Sequence, residues 1–349
     1  MIKVSILVPV YNVEGYIVRC ARSLFEQTYP NVEFVFVDDC TPDRSVALLR
    51  QVMEEFPKRK SSVTIIKHEK NRGLAAARNT AMDNAVGEFV VCVDADDWLE
   101  PNAIEMLVGK QLQTGGADVV SCCRLVHEFD GKRLSPVEDC RGKEEMVIHM
   151  MHWTGDQYAC GRLIRRELFV ENGVRWIEGL DNVEDRYIMT QVAYYANNYA
   201  VIEVPLYHYE RRNISSITHS ARYDDLKYLK SSCQAVSNYV ALESFFSDKE
   251  CVFLEECKRC IETMLKENGL VSMVKECVEK TLVDSNKKDF FRVVGVIDSY
   301  EKVHVLLDWQ LKKDGLKGVL LHDYYYMKLY LLLREVKRFV RKTIRGKNR

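Results

Sequence analysis

The first hundred residues alternate between short β-branched runs and longer segments whose apolar residues recur at helical spacing. The β-branched runs predict strands over residues 4–10, 32–37, 63–67 and 89–93. The first two have the apolar character of strands buried on both faces. The segments between them predict helices over 13–27, 43–56 and 74–85, with another from 101 to 107. Crossovers of this length require parallel strands with helices on both faces, so the sequence predicts an α/β fold.

The rest of the chain predicts a less regular continuation and then a change of character. We expect strands over 119–126 and 200–209, a loop or edge hairpin over 127–145, and helices over 165–171 and 184–195. From about residue 223, Gly and Pro become rare and helix-forming residues dominate. The sequence therefore predicts two domains, an α/β domain over 1–220 and a helical region over 221–349.

Composition excludes several classes of protein. The chain has 349 residues, with 50 Lys and Arg against 51 Asp and Glu, which argues against a basic nucleic-acid-binding domain. Hydrophobic residues make up 47%, enough for a large core, yet no run approaches the length of a membrane-spanning helix. The N-terminus lacks the features of a signal peptide, so the 12 cysteines predict reduced thiols and a cytoplasmic location. Without export, the glycosylation sequon Asn213-Ile214-Ser215 predicts no modification.

Acidic residues follow two of the predicted strands. Asp38 and Asp39 follow the second, and Asp94, Asp96 and Asp97 follow the fourth. The carboxyl ends of parallel strands meet at one edge of the sheet, where ligands bind in folds of this class. Three carboxylates within four positions favour a hard divalent cation such as Mg²⁺ or Mn²⁺. The alternative is ordinary turn and capping chemistry, which we prefer for Asp38 taken alone.

Several well-known site motifs do not occur in the sequence. The phosphate-binding pattern G-x-x-x-x-G-K-[ST] is missing, and no G-x-G-x-x-G follows the first strand. Neither G-x-S-x-G nor H-E-x-x-H occurs. These absences argue against a P-loop enzyme, a dinucleotide-binding enzyme, an α/β-hydrolase and a zinc protease of the H-E-x-x-H type.

Several separate blocks resemble the family 2 glycosyltransferases, which have the GT-A nucleotide-diphospho-sugar transferase fold. The blocks include VSILVPVYNVEGYIVRCARSLFEQTYPNVEFVFVDDCTPDRS, NRGLAAARNTAM, GEFVVCVDADDWLEP, NVEDRYIM and PLYHYERRNISSIT. The resemblance covers about residues 1–220. It implies a parallel-dominated mixed sheet flanked by helices, with a catalytic domain over 1–220, and an inverting transfer of sugar from a nucleotide donor.

The resemblance implies a set of residues that contact the nucleotide-sugar. Those around the base are Pro9, Tyr11 and Glu14. Asp39 accepts a hydrogen bond from uracil, which favours a UDP-sugar donor. Those bordering the nucleotide and donor sugar are Asn71, Gly73 and Arg78. The chain departs from the family at Cys40-Thr41-Pro42, where a Gly-Ser-Thr-like turn is usual.

The resemblance also implies a metal site for Mn²⁺ or Mg²⁺. Asp94 and Asp96 match the D-x-D element, with Asp94 facing the ribose or sugar and Asp96 binding the metal. Asp97 is a candidate to assist. We consider His208 as a third ligand ahead of His219, although a lone His near a strand end is more often structural.

Asp185 of NVEDRYIM matches the general base of the family. A carboxylate within hydrogen-bond reach can take the proton of the acceptor hydroxyl as that hydroxyl attacks the anomeric carbon. Read without the resemblance, Asp185 is a surface carboxylate in the first turn of a helix, stabilised by the helix dipole. Glu184 is the competing candidate for the base.

The C-terminal segment predicts a basic amphipathic helix. Residues 334–349 hold eight Lys and Arg residues and one Glu, with apolar residues on the other face from 329 to 344. This pattern suits an anionic membrane surface, and the alternative is a helix packed on its own domain. The family resemblance adds a saccharide or lipid-linked acceptor in capsule, exopolysaccharide or lipopolysaccharide synthesis, at the inner face of the plasma membrane.

Two rival functions follow from the same fold class. One is a catalytically silent nucleotide-sugar-binding scaffold, which the presence of every motif carboxylate disfavours. The other is a sugar nucleotidyltransferase, whose Gly- and Arg-rich first loop is replaced here by PVYNVEG. Pyrophosphate release from a nucleoside triphosphate would identify the nucleotidyltransferase.

Overall fold

The computed structural model describes most of the first two thirds of the chain. The described residues are 1–140, 142–152, 157–180, 184–217, 238, 241–247, 249, 252–257 and 259–260. The chain divides into two compact units, Met1–His219 and Ser220–Arg349. In the second unit, residues 241–246 and 252–257 are helical. The basic C-terminal segment and His219 lie outside the described residues.

The first unit alternates strands and helices through its first half. The strands are β1 Val4–Val10, β2 Val32–Asp38, β3 Val63–Lys67, β4 Phe89–Cys92, β5 Trp98–Leu99, β6 Val119–Glu128, β7 Gly131–Ser135, β8 Leu163–Arg165 and β9 Tyr199–Glu210. The helices are α1 Ile17–Phe25, α2 Ser45–Glu55, α3 Leu74–Asp83, α4 Ala103–Gln113, α5 Lys143–Met151, α6 Glu167–Val170 and α7 Glu184–Tyr195.

Within the described residues, these strands form one sheet in the order β3-β2-β1-β4-β8-β6-β9-β5, with β7 paired to β6. The pairs β3/β2, β2/β1 and β1/β4 are parallel, as is β6/β9. The pairs β4/β8, β8/β6, β5/β9 and β6/β7 are antiparallel. The predicted α/β class, with a parallel-dominated mixed sheet, is confirmed.

Burial follows the pattern that the sequence predicts. Every residue of β1 is buried, as expected for a central strand covered on both faces. Helix α1 buries residues at helical spacing against the sheet, namely Ile17, Cys20, Ala21, Leu24 and Phe25. Because β1, β2 and β4 are parallel neighbours, the residues that follow them lie at the same edge of the sheet.

Three elements were not predicted. Strand β8 has three residues, too few to show a period of two, and it inserts between β4 and β6. Strand β5 has two residues. Helix α5 begins in the last three residues of the segment expected to be a loop or edge hairpin and continues beyond it, and its Met146, Val147, Met150 and Met151 are buried. Pairing and packing in the folded chain, rather than local pattern, stabilise these short elements.

Candidate active site

The loops that follow β1 and β2 are hydrogen-bonded to each other. Thr41 Oγ1 accepts from the Asn12 amide at 2.8 Å, and Asp43 Oδ2 accepts from the Glu14 amide at 2.9 Å. Glu14 in turn accepts from the Arg44 amide through its Oε2 at 3.0 Å. The carboxylate of Glu14, predicted to line the base pocket, therefore helps to join these two loops.

The other two residues predicted to lie around the nucleotide base, Pro9 and Tyr11, differ in exposure. Pro9 is buried inside β1, whereas the Tyr11 side chain is 46% exposed where the strand has ended. Cys40 has φ 57°, in the left-handed region that favours glycine. The Asp39 amide still bonds Val10 O at 3.1 Å, so the departure at Cys40 leaves Asp39 beside the end of β1.

Asp39 is buried and joins the end of β2 to the loop before α3. Its Oδ1 accepts from the Arg72 amide at 2.8 Å and lies 2.6 Å from His68 Nδ1, while Oδ2 accepts from the Gly73 amide at 2.8 Å. A carboxylate oxygen can accept two hydrogen bonds, so Oδ2 retains capacity for a ligand donor. Uracil binding by Asp39 stays a prediction, which this unused acceptor position of Oδ2 permits.

His68 also belongs to this arrangement, although it is not among the site residues predicted from the sequence. Its Nε2 lies 2.9 Å from Thr80 Oγ1 on α3, so the ring bridges Asp39 and the helix. Gly73 precedes α3 with φ 90°, a conformation that favours glycine, and Asn71 Oδ1 accepts from its amide at 3.1 Å. A single His after an edge strand has no local pattern that would identify it.

Arg78 of α3 lies at the centre of the site and is 1% exposed. Its Nη1 donates to Glu184 Oε1 at 2.6 Å and to Asp185 Oδ1 at 2.8 Å. Its Nη2 donates to Asp94 Oδ1 at 2.9 Å. One buried guanidinium thus brings the first Asp of D-x-D together with both candidate bases, which are 91 and 90 positions away along the chain.

The two acids at the start of α7 are held differently. Asp185 Oδ2 also accepts from the Ala159 amide at 3.1 Å. Burial raises the pKa of Glu184, and the neighbouring Asp185 raises it further, while Arg78 opposes the rise. Glu184 therefore favours the protonated form, which leaves Asp185 as the better candidate for a carboxylate base.

Asp94–Asp97 forms a turn, in which the Asp97 amide bonds Asp94 O at 3.0 Å. The side chain of Asp94 is 31% exposed. Asp96 is half-buried, and its Oδ2 accepts from Asn213 Nδ2 at 2.9 Å. Burial and the Asp94 charge raise the pKa of Asp96 to about 6. Asp94 and Asp96 are the two members of this turn whose carboxylates reach the edge of the sheet.

Asp97 has internal partners for both of its oxygens. It is 1% exposed, accepts from the Glu210 amide at 2.7 Å through Oδ1, and accepts from the Tyr207 hydroxyl through Oδ2. Burial raises its pKa, and the charges of Asp96 and Asp94 add to that rise. These contacts connect the turn to β9 and do not support Asp97 as a metal ligand.

Both ring nitrogens of His208 also have partners. Nδ1 lies 3.0 Å from His127 Nε2, Nε2 lies 2.7 Å from Glu100 Oε1, and the ring stacks on Trp98 with centroids 4.7 Å apart. A metal ligand needs one of these nitrogens free. The arrangement favours the structural interpretation of His208 over metal binding.

Asp94 and Asp96 fit a hard divalent cation. Carboxylate oxygens are the ligands that Mg²⁺ and Mn²⁺ prefer in proteins. Among the described residues, no Lys or Arg forms an ion pair with Asp96, although Asp94 and Asp97 lie beside it in the turn. Burial is the main cause of the raised pKa of Asp96 and the Asp94 charge adds to it, so a cation at Asp96 would stabilise the charged form of this carboxyl group.

The end of β9 contributes contacts that sequence reasoning did not assign. Arg19 of α1 donates to Asp96 O at 2.9 Å and to Glu210 at 3.1 Å. Arg212, which follows β9, also donates to Glu210, through Nε at 2.7 Å. The sequence block HYERRNIS could have indicated these contacts, because its charged residues lie at the end of a predicted strand, as Asp94 and Asp96 do.

The N-terminal part of the chain matches a known protein family. The family described as "Glycosyl transferase family 2" matches residues 5–173. A Bacillus subtilis protein named "Putative glycosyltransferase EpsH" is 30% identical over 303 residues, covering 84% of this chain and 82% of EpsH.

Solved structures with this fold include two ligand complexes. S. aureus TarS 1–349 in complex with UDP-GlcNAc has a TM-score of 0.56 and 19% identity, covering 86% of this chain and 92% of that one. The mannosyltransferase PcManGT from Pyrobaculum calidifontis, in complex with GDP-Man and Mn²⁺, has a TM-score of 0.53 and 16% identity. That match covers 97% of this chain and 87% of PcManGT. At these identities the likeness establishes the GT-A fold alone.

Proposed function

Since this chain belongs to glycosyltransferase family 2 and is therefore a glycosyltransferase, we propose that it transfers a sugar from a UDP-sugar to a hydroxyl of a saccharide or lipid-linked acceptor. Asp39 supports uridine as the base, because its Oδ2 has capacity for one more donor at the end of β2. The TarS complex with UDP-GlcNAc shows that this fold accommodates a UDP-sugar, whereas PcManGT carries GDP-Man. A comparison of UDP- and GDP-sugars therefore tests the donor.

The observation that carries the proposal is the Arg78 cluster. Asp94 of the D-x-D element and Asp185 of α7 bind the two terminal nitrogens of one buried guanidinium. A residue for donor binding and a candidate base thus share one site. This is the arrangement that a direct displacement at the anomeric carbon requires, since donor and acceptor must meet there.

Asp185 is the proposed general base. The acceptor hydroxyl loses its proton to the Asp185 carboxylate as its oxygen forms a bond to the anomeric carbon, and the bond to the diphosphate breaks. A single displacement of this kind inverts the anomeric configuration. The Ala159 amide and Arg78 hold the two oxygens of Asp185 in place for this role.

Asp94 and Asp96 are the proposed ligands of Mn²⁺ or Mg²⁺. When bound, such a cation neutralises the negative charge that builds on the departing diphosphate. We do not extend the metal proposal to Asp97 or His208, because protein partners occupy their ligand atoms.

The experiment is a nucleoside-diphosphate-release assay on the full chain with a panel of UDP- and GDP-sugars, saccharide acceptors and Mn²⁺. We expect Asp185→Asn and Asp96→Ala each to abolish turnover in folded protein. Asp83→Asn is the matched control, because Asp83 is an exposed acid at the end of α3 that pairs with Arg175. Wild-type turnover by Asp185→Asn would refute the base assignment, and turnover unaffected by a chelator would refute metal dependence.

We also propose a setting for the reaction in bacterial polysaccharide synthesis, at the cytoplasmic face of the plasma membrane. The support is the basic segment 334–349, whose eight Lys and Arg residues suit anionic lipid headgroups. Among the described residues, no helix has both the length and the apolar character needed to cross a bilayer.

A further inference from the structure

We propose that Asn213 is a positioning residue that orients the Asp96 carboxylate toward the divalent cation; this inference rests on the proposed metal site. Asn213 follows β9 and is 4% exposed. Its Nδ2 donates to Asp96 Oδ2 at 2.9 Å across 117 positions of the chain. The Asn213-Ile214-Ser215 pattern, which resembles a glycosylation sequon, thus has a structural use within the site.

The direction of the Asn213 amide is fixed by its own turn. Oδ1 accepts from the Ser215 amide at 3.1 Å and from Ser215 Oγ at 2.7 Å. Both of these partners donate, so the atom facing them must be the carbonyl oxygen. The NH₂ group therefore faces Asp96, and Ser215 prevents the amide from turning over.

Other contacts to the Asp94–Asp97 turn do not reach the Asp96 carboxylate. Arg19 binds the Asp96 carbonyl oxygen, and the Glu210 amide donates to Oδ1 of the Asp97 carboxylate. Among the described residues, Asn213 is the one side chain from another segment that donates to the carboxylate of Asp96.

The consequence concerns the two oxygens of Asp96. With Oδ2 held by Asn213, the carboxylate is fixed about its side-chain torsions and Oδ1 is left for the cation. Partners that orient a metal-binding carboxylate in this way typically contribute about 10- to 100-fold to metal affinity. Asn213 thus acts on the metal through Asp96.

The test measures Mn²⁺ affinity by electron paramagnetic resonance of free Mn²⁺, with full-length protein and saturating UDP. We expect Asn213→Ala to weaken Mn²⁺ binding by about tenfold or more. Ser215→Ala should weaken it about two- to fivefold, because the Ser215 amide still binds Asn213 after the hydroxyl is lost. Ile214→Ala is the matched control, since Ile214 is 68% exposed in the same turn.

Each outcome distinguishes this inference from the proposed function. If wild type binds Mn²⁺ and Asp96→Asn does not, the proposed metal site is supported. In that case, a Mn²⁺ affinity of Asn213→Ala within twofold of wild type overturns the role of Asn213 and leaves the metal site intact. If wild type binds UDP but no Mn²⁺, the metal site and the inference both fail. Should Asn213→Ala not fold, unchanged Mn²⁺ affinity in folded Ser215→Ala overturns the inference.

Discussion

We expect Arg78→Met to destabilise the first unit substantially. The substitution keeps a long side chain but removes the cation bound to Glu184, Asp185 and Asp94 at 2.6 to 2.9 Å. Removing one partner of a buried ion pair costs about 3–5 kcal/mol. Glu184 already favours a proton and Asp94 is partly exposed, so we expect the lower end, about 3 kcal/mol.

That free energy converts into a measurable shift of the melting temperature. For a unit of this size, 1 kcal/mol corresponds to about 2–4 °C, so the expected fall is about 6–12 °C at neutral pH. Tryptophan fluorescence provides the assay, because the Trp176 ring lies 5.9 Å from the Arg78 guanidinium and is buried.

Arg72→Met is the matched control. Arg72 lies in the loop before α3 and pairs with Glu178 at 2.7 Å. In contrast to the Arg78 cluster, both of these side chains are well exposed. An exposed pair contributes about 0–1 kcal/mol, so the control should melt close to wild type. Equal melting temperatures for Arg78→Met and Arg72→Met would refute the reasoning.

Three further predictions test other parts of the structure. Wild-type stability should fall as pH rises from the ordinary Glu pKa to the raised pKa of Glu184, because the native state keeps a proton that the unfolded chain has lost. Glu184→Gln should remove this fall. The melting temperature of Glu184→Gln relative to wild type should therefore be higher at pH 8 than at pH 5. Gly161→Ala should lower the melting temperature more than Gly173→Ala, since both have positive φ but only the Gly161 Cβ would lie 2.8 Å from Tyr207 Cδ2. Full-length protein should sediment with anionic liposomes and residues 1–333 should not; equal recovery in the supernatant would contradict the membrane proposal.

The sequence by itself determined the parallel half of the sheet and the place of its acids. Strands β1 and β3 have the predicted bounds. The continuous β-branched run of β1 suits a strand buried on both faces, whereas β3 is a partly exposed edge strand. Helix α7 also begins and ends as predicted. The position of Asp94 and Asp96 at the carboxyl edge followed from strand direction alone.

Only the tertiary structure decided which of these acids face one another. Arg78 joins Asp94 to Asp185 across chain separations that no local period encodes. The same folding turns Asp97 toward Tyr207, where it has internal partners, although it is adjacent to Asp96 in sequence. Local pattern specifies strands and helices, because they depend on residues a few positions apart. Side-chain partners depend on which elements the sheet order brings together, so contacts such as Asn213 with Asp96 exist only in the folded chain.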